Sequence, residues 1–264
     1  MLADILTLPL HHITYAIIIG VVVGGLMTMT GVGGGVIIIP ALQLSFAMPI
    51  VTAVGTASII ATLIKINAAL NHIRCKNVNW SHVKIILISA VPALIIATEV
   101  IVRSASNPTL QPFTEIFVQG CVVITMVGAF VSLYLGRKST LAPSNKQTSM
   151  STALSVGALS GSVLGTTGIG GGVILLPALK NILGATVRQA VGSSIVIAVI
   201  LSGVTAIRYS SSSQSNVAIG LIVVLSSFIG VKGGIKVLEK TSDDALINLS
   251  LFVILTSLIA TIFL

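Results

Sequence analysis

Long apolar runs separated by short polar connections dominate the chain. Eight units can be delimited, at approximately 13–46, 51–71, 81–102, 114–136, 150–180, 187–208, 215–233 and 245–264. A helix needs about 20 apolar residues to cross the hydrocarbon core of a bilayer, and six of the units have about that length. Units one and five are longer, at about 31 to 34 residues, and each is interrupted by its own glycines and a proline. In unit one the interruption predicts two limbs, Ile13 to Met29 and Val36 to Phe46. An unpaired backbone group in lipid costs several kcal/mol, so spans at this depth are helical. The β-branched run Val36-Ile37-Ile38-Ile39 therefore predicts helix rather than strand. By the same rule each glycine-rich break must be buried in protein or line a wet cavity. The pattern predicts an all-α integral membrane protein.

The two interruptions are copies of one another. TGVGGGVIIIPAL at Thr30 to Leu42 recurs as TGIGGGVILLPAL at Thr167 to Leu179, with ten of thirteen positions identical. The match continues ungapped to Ala53-Val54-Gly55 against Ala190-Val191-Gly192, always 137 residues apart. A repeat of this kind divides the chain into two homologous halves, residues 1–142 and 143–264, forming one integrated membrane domain. The polar linker from Gly136 to Ser149 marks the border. Paired Gly/Pro-broken segments in matching positions are the sequence mark of a transporter's binding site.

Charge adds a topology. If units one and five each cross once, Lys and Arg divide almost evenly between the faces. If both units enter and leave on one side, as helical hairpins, then Arg74, Lys76, Lys84, Arg137, Lys138, Lys146, Lys180, Arg188, Lys232, Lys236 and Lys240 share one face. Only Arg103 and Arg208 are left on the other. The positive-inside rule favours the hairpins. Each half then has three full crossings, and an odd number inverts the second half relative to the first, the inverted-repeat plan of many carriers.

Composition narrows the class further. The chain is 55% hydrophobic and 8% charged with mean hydropathy +1.10, against roughly 25% charged residues in a soluble domain. Its net charge of +8 lies mostly between apolar runs, where it holds loops at an anionic membrane face and does not signal nucleic acid. Cys75 and Cys121 form no C-x-x-C pattern and imply no disulfide framework. The N-terminus has neither a basic region nor a small-residue cleavage site, so no removed signal peptide is expected.

Candidate chemistry concentrates at the breaks. Glycine lets the chain turn between half-helices, and a second half-helix starting near Gly34 or Gly35 would direct unpaired N–H groups into the break. With the positive helix terminus these groups make an anion site. Thr30, Gly31, Gly33, Gly34 and Gly35 are its candidate residues, and Thr167, Gly168, Gly170, Gly171 and Gly172 their repeat equivalents. The threonine hydroxyls could serve the cargo or their own backbone, while Pro40 and Pro177 loosen the second limbs. The bland alternative is that the glycines only permit tight helix crossing. A nucleotide-binding loop is excluded by register and by the missing β-α context. Thr56 and Ser193 are matched hydroxyls in the second repeated patch, with Ser58 and Ser194 close by. Lys65 lies fourteen residues into an apolar run with Asn67 beside it. Either Lys65 snorkels towards the nearby loop or it attracts an anion. Arg188, Arg208 and Trp80 read as interface anchors, and His72 and His82 as loop residues. No spacing resembles a metal site or a catalytic triad, so neither enzymatic activity nor a cofactor is expected.

The duplicated G-x-G-G-G-x-x-x-x-P-x-L, at Gly31 to Leu42 and Gly168 to Leu179, resembles the TauE/SafE family of sulfite and organosulfonate exporters, also grouped as TSUP-type permeases. The A-V-G-(T/S) patches at 53–56 and 190–193 and the overall length extend the likeness to essentially the whole chain. The resemblance implies about eight membrane segments and cargo such as sulfite, sulfoacetate or other sulfonates. The expected function is secondary transport of a small sulfur-containing or organic oxyanion across the inner membrane by alternating access, in a multi-pass protein surrounded by lipid. Proton coupling and facilitated diffusion are both open. An anion-selective channel and a non-transporting assembly subunit are the alternatives.

Overall fold

A computed structural model describes residues 9–30, 34–136, 150–169, 172–238 and 240–263. The elements are α1 (Leu10–Thr30), α2 (Gly35–Phe46), α3 (Ile50–Arg74), α4 (Trp80–Ala105) and α5 (Gln111–Gly136), then α6 (Met150–Thr167), α7 (Gly172–Pro177), α8 (Val187–Ser211), α9 (Val217–Leu238) and α10 (Asp243–Ile262). No strand occurs among the described residues. Seven of these helices, α1, α3, α4, α5, α8, α9 and α10, are long and apolar enough to cross a membrane. Large apolar side chains such as Ile96, Ile116, Ile124, Ile229 and Phe252 are exposed on them, as a lipid-facing surface requires.

Local sequence sets the ends. Asn79 caps α4 by accepting the His82 N–H at 3.3 Å, and Thr186 caps α8 by accepting the Gln189 N–H at 3.3 Å. The equivalent position before α3 is Pro49, which offers no side-chain cap; Glu115 reaches across from α5 instead and accepts the Val51 N–H at 3.5 Å. The short limbs differ between the halves. α2 remains regular through Pro40 and stops at Ala47, a left-handed residue (φ 47°). α7 gives way after Pro177 to a π-helical turn, Ala178–Ile182, closed by the Leu183 N–H on the Ala178 carbonyl at 3.0 Å. The left-handed position recurs at Gly184 (φ 65°), the repeat equivalent of Ala47.

Packing follows the repeat. The most extensive interfaces join α1 to α9 and α4 to α6, and α3 to α8 comes next. Adding 137 to a residue number carries α1 onto α6, α3 onto α8 and α4 onto α9. The α1·α9 interface thereby becomes α6·α4. The correspondence extends to single glycines. A Cβ on Gly20 would overlap the Val223 carbonyl and Ser226, and one on Gly24 the Ser227 carbonyl. On the other side Gly157 would overlap the Ile86 carbonyl and Ser89, and Gly161 the Ala90 carbonyl. Every residue in the second set is the repeat equivalent of one in the first. These G-x-x-x-G crossings bring backbones together where lipid offers no hydrophobic drive.

The ends of the bundle are fixed by cross-half hydrogen bonds. Asn79 N–H donates to the Ser193 hydroxyl at 2.9 Å, placing the start of α8 beside the α3–α4 connection. Asn216 N–H donates to the Thr56 hydroxyl at 2.8 Å, placing the start of α3 beside the α8–α9 connection. Helices α3 and α8 therefore run in opposite directions. The His12 and Phe46 rings lie 5.4 Å apart, so α1 begins where α2 ends.

Candidate functional site

Residues flanking the two glycine clusters meet. A Cβ on Gly35, the first residue of α2, would lie 2.8 Å from both the Gly168 carbonyl and the Ile169 Cα. Gly168 itself is left-handed (φ 63°) and fits against Val54 and Ser58 of α3. A side chain at Gly35 would have to displace backbone, and one at Gly168 would be strained by its left-handed torsion. Thr30 donates to the Leu26 carbonyl at 2.7 Å and Thr167 to the Val163 carbonyl at 2.7 Å. Thr167 also accepts the Ile169 N–H at 3.2 Å, so these hydroxyls finish their own helices. Gly34 precedes α2 and Gly172 opens α7. Gly31, Gly33, Gly170 and Gly171 lie outside the described residues.

Beside the first break is a cavity of about 640 Å³, within the range of about 300–1,000 Å³ usual for small-molecule sites. Its wall is mostly apolar, including Met27, Ile64, Leu176, Ile195 and Phe228. Set into that wall are Thr28, Lys65, Asn67, Asn71, Ser194 and Ser227. Thr28 is held by the Gly24 carbonyl at 2.8 Å and Ser227 by the Val224 carbonyl at 2.7 Å. Lys65 is half-buried, while Asn67 and Asn71 are exposed. No carboxylate is among the described residues that line it. A lysine in an apolar wall with amide donors beside it is a group suited to attracting anions. Met27 joins cavity and break, its Cε lying 2.9 Å from where a Cβ on Gly34 would stand.

Of the residues singled out in the sequence, the cavity gathers Lys65, Asn67 and Ser194. Thr56 and Ser193 are fully buried away from it and hold the connections before α9 and α4. Ser58 is also buried, donating to the Val54 carbonyl at 2.8 Å. Gly55 and Gly192, from the same repeated patches, let those connections press close, against the Gln214 and Asn77 carbonyls respectively. Sequence reasoning missed Thr28, Asn71 and Ser227. Asn71 was within reach, because Ile64, Ala68 and Asn71 follow i, i+4, i+7 spacing on one face of α3.

The repeat equivalent of this cavity is filled. Ile64, Lys65 and Ala68 correspond to Leu201, Ser202 and Thr205, all fully buried. Ser194, Ile195 and Ala198 correspond to Ala57, Ser58 and Ala61, which are also fully buried. Above them Tyr209, itself fully buried, donates its hydroxyl to the Gly165 carbonyl at 2.9 Å. Further out Arg208 of α8 pairs with Glu99 of α4, and Glu99 also accepts from Arg103 at 2.6 Å.

A helical bundle with seven membrane-length helices and a cavity lined by Lys65 defines a multi-pass membrane protein. The chain belongs to the Sulfite exporter TauE/SafE family, whose model matches residues 16–262. It is 26% identical over 250 residues to "Probable membrane transporter protein YjnA" of Bacillus subtilis, covering 91% of this chain and 96% of that one. A Methanocaldococcus jannaschii protein also named a probable membrane transporter is 25% identical over 244 residues, covering 87% of this chain and 88% of its own. A Haemophilus influenzae protein of the same description is 27% identical over 191 residues, covering 69% and 67%.

Proposed function

We propose that the protein is a secondary carrier moving a small sulfur-containing or organic oxyanion across the inner membrane by alternating access between two inverted halves. The observation that supports this most is the contrast between the open cavity around Lys65 and its filled repeat equivalent around Ser202. Such asymmetry between related halves is what a carrier open to one face looks like. The opposed courses of α3 and α8 and the exchange-symmetric interfaces fit inverted halves. The contact of His12 with Phe46 fits a first unit that enters and leaves on one side.

Sidedness follows from charge. Arg74, Lys76, Lys84, Arg188, Lys232, Lys236 and Lys240 belong to the end that carries the α3–α4 connection, and Arg103 and Arg208 to the other. The positive-inside rule makes the first end cytoplasmic, so the cavity faces inward. Anion recognition rests on the Lys65 ammonium and the amides of Asn67 and Asn71, with the glycine breaks as the pivot beside it.

The test is counterflow in proteoliposomes loaded in turn with sulfite, thiosulfate, sulfoacetate, taurine and simple carboxylates. Saturable, trans-stimulated uptake of at least one anion is expected, with an apparent affinity that weakens in Lys65→Gln. Flux without saturation or trans-stimulation would make the protein a channel. No flux of any anion would remove the reading altogether.

A further inference from the structure

The carrier reading leaves open how the filled side is held shut and what meets the anion there. We propose that Arg208 is the anion's ligand on the face that is closed in this conformation, and that the Glu99 carboxylate is its built-in stand-in. The inference rests on the carrier reading and adds a second binding position to it.

Three observations carry it. The first is placement: Arg208 is the repeat equivalent of Asn71, which lines the open cavity. One turn deeper, Thr205 is the equivalent of the cavity residue Ala68 and is fully buried. Opening this side would therefore put Arg208 at the mouth of a cavity matching the one already present. The second is charge. Glu99 is shared between Arg208 and Arg103, two guanidiniums on one carboxylate, in a vestibule of about 530 Å³ that also includes Ser106, Asn107 and Ser212. An arginine that binds a side-chain carboxylate presents the fork that binds a solute carboxylate or sulfonate. The third is what the open side lacks. The equivalents of Glu99, Arg103 and Arg208 are Lys236, Lys240 and Asn71, so an amine stands where the closed side has its bridging carboxylate.

Glu99 thus ties α4 to α8 while the cargo is absent, and an incoming anion competes with it for Arg208. Releasing Glu99 frees both the site and the hinge between the two helices. Arg208 and Glu99 side chains are each about one-third exposed (34% and 31%). A pair that wet is weak enough to be exchanged during turnover.

The test measures access directly and needs no transported solute. On a Cys75→Ser, Cys121→Ser background, Ala68→Cys reports the open cavity and Thr205→Cys the closed one. Both are labelled in detergent with a small anionic methanethiosulfonate and with its cationic trimethylammonium counterpart. In otherwise unchanged protein, Ala68→Cys should react and Thr205→Cys should not. Adding Glu99→Gln should raise the Thr205→Cys rate roughly fivefold, the scale set by losing a partly exposed ion pair, with the anionic reagent favoured. Adding Arg208→Gln as well should keep the exposure but abolish the preference for the anion. The exchanged pair, Glu99→Arg with Arg208→Glu, should restore protection. Continued protection of Thr205→Cys in Glu99→Gln would overturn the proposal, as would exposure without a charge preference. Either result leaves the carrier reading to stand or fall on counterflow alone.

Discussion

Lys65 and Ser202 occupy equivalent places in the two halves, and their surroundings could hardly differ more. Around Lys65 the helices part to leave a cavity with polar residues at its mouth. Around Ser202 they close to full burial, with Ser202 accepting a hydrogen bond from Thr62 at 2.9 Å and donating to the Ala198 carbonyl at 2.6 Å. The glycine crossings do not account for the contrast, since the two sides use equivalent residues there. Side chains at several equivalent positions differ: Lys65 for Ser202, His72 for Tyr209, Asn71 for Arg208 and Lys236 for Glu99. The repeat supplies a common frame, and the two sides diverge at these positions.

The sharpest attempt to break this comparison is Ser202→Lys, which puts the cavity's cation into the filled side. An uncompensated buried charge costs about 3–5 kcal/mol, so the detergent melting point and the monodisperse fraction should both fall steeply. An unchanged melting curve would mean that the filled side is wet. Next comes Lys65→Gln. Losing a hydrogen bond to a charged group costs about 1.5–3 kcal/mol, so affinity for the transported anion, read by calorimetry or competition, should weaken by about tenfold or more. Membrane insertion should be unaffected. Tyr209→Phe is expected to be milder. It strips the Gly165 carbonyl, near the end of α6, of its partner, worth about 1–2 kcal/mol by thermal melt; no loss would show that another donor takes over. The smallest effect is expected from Ala47→Gly, which places in the first half the residue already found at Gly184. Relief of a left-handed alanine should stabilise by about 0.5–1 kcal/mol, and a lower melting point would contradict the backbone reading.

Much of the architecture was legible because lipid leaves the backbone few choices. The apolar runs, the two limbs of unit one and the start of α2 at Gly35 all follow from hydropathy, glycine and proline. The π-helical turn after Pro177 did not follow, since Pro40 in the matching context leaves α2 regular. Side-chain roles were harder to read. Thr56 and Ser193 stood out as matched hydroxyls, and the long-range bonds they accept, from residues 160 and 114 positions away, have no local signature. The Glu99–Arg208 pair spans 109 residues and leaves no local trace. Lys65 was readable because a lysine in a long apolar run has to be explained. Gly20 with Gly157, and Gly24 with Gly161, were recoverable by extending the repeat upstream of its conspicuous motif.

The interleaving of α1 with α9 and of α6 with α4 has a consequence for biogenesis. Helix α1 finds its main neighbour, α9, only after the intervening helices have been synthesised. Until then its glycine face, shaped to touch another backbone, meets lipid chains that cannot match it. A nascent chain stopped after α5 should therefore remain a loose set of inserted segments, open to membrane quality control. Expressing residues 143–264 separately should rescue it, because each half carries what the other is missing.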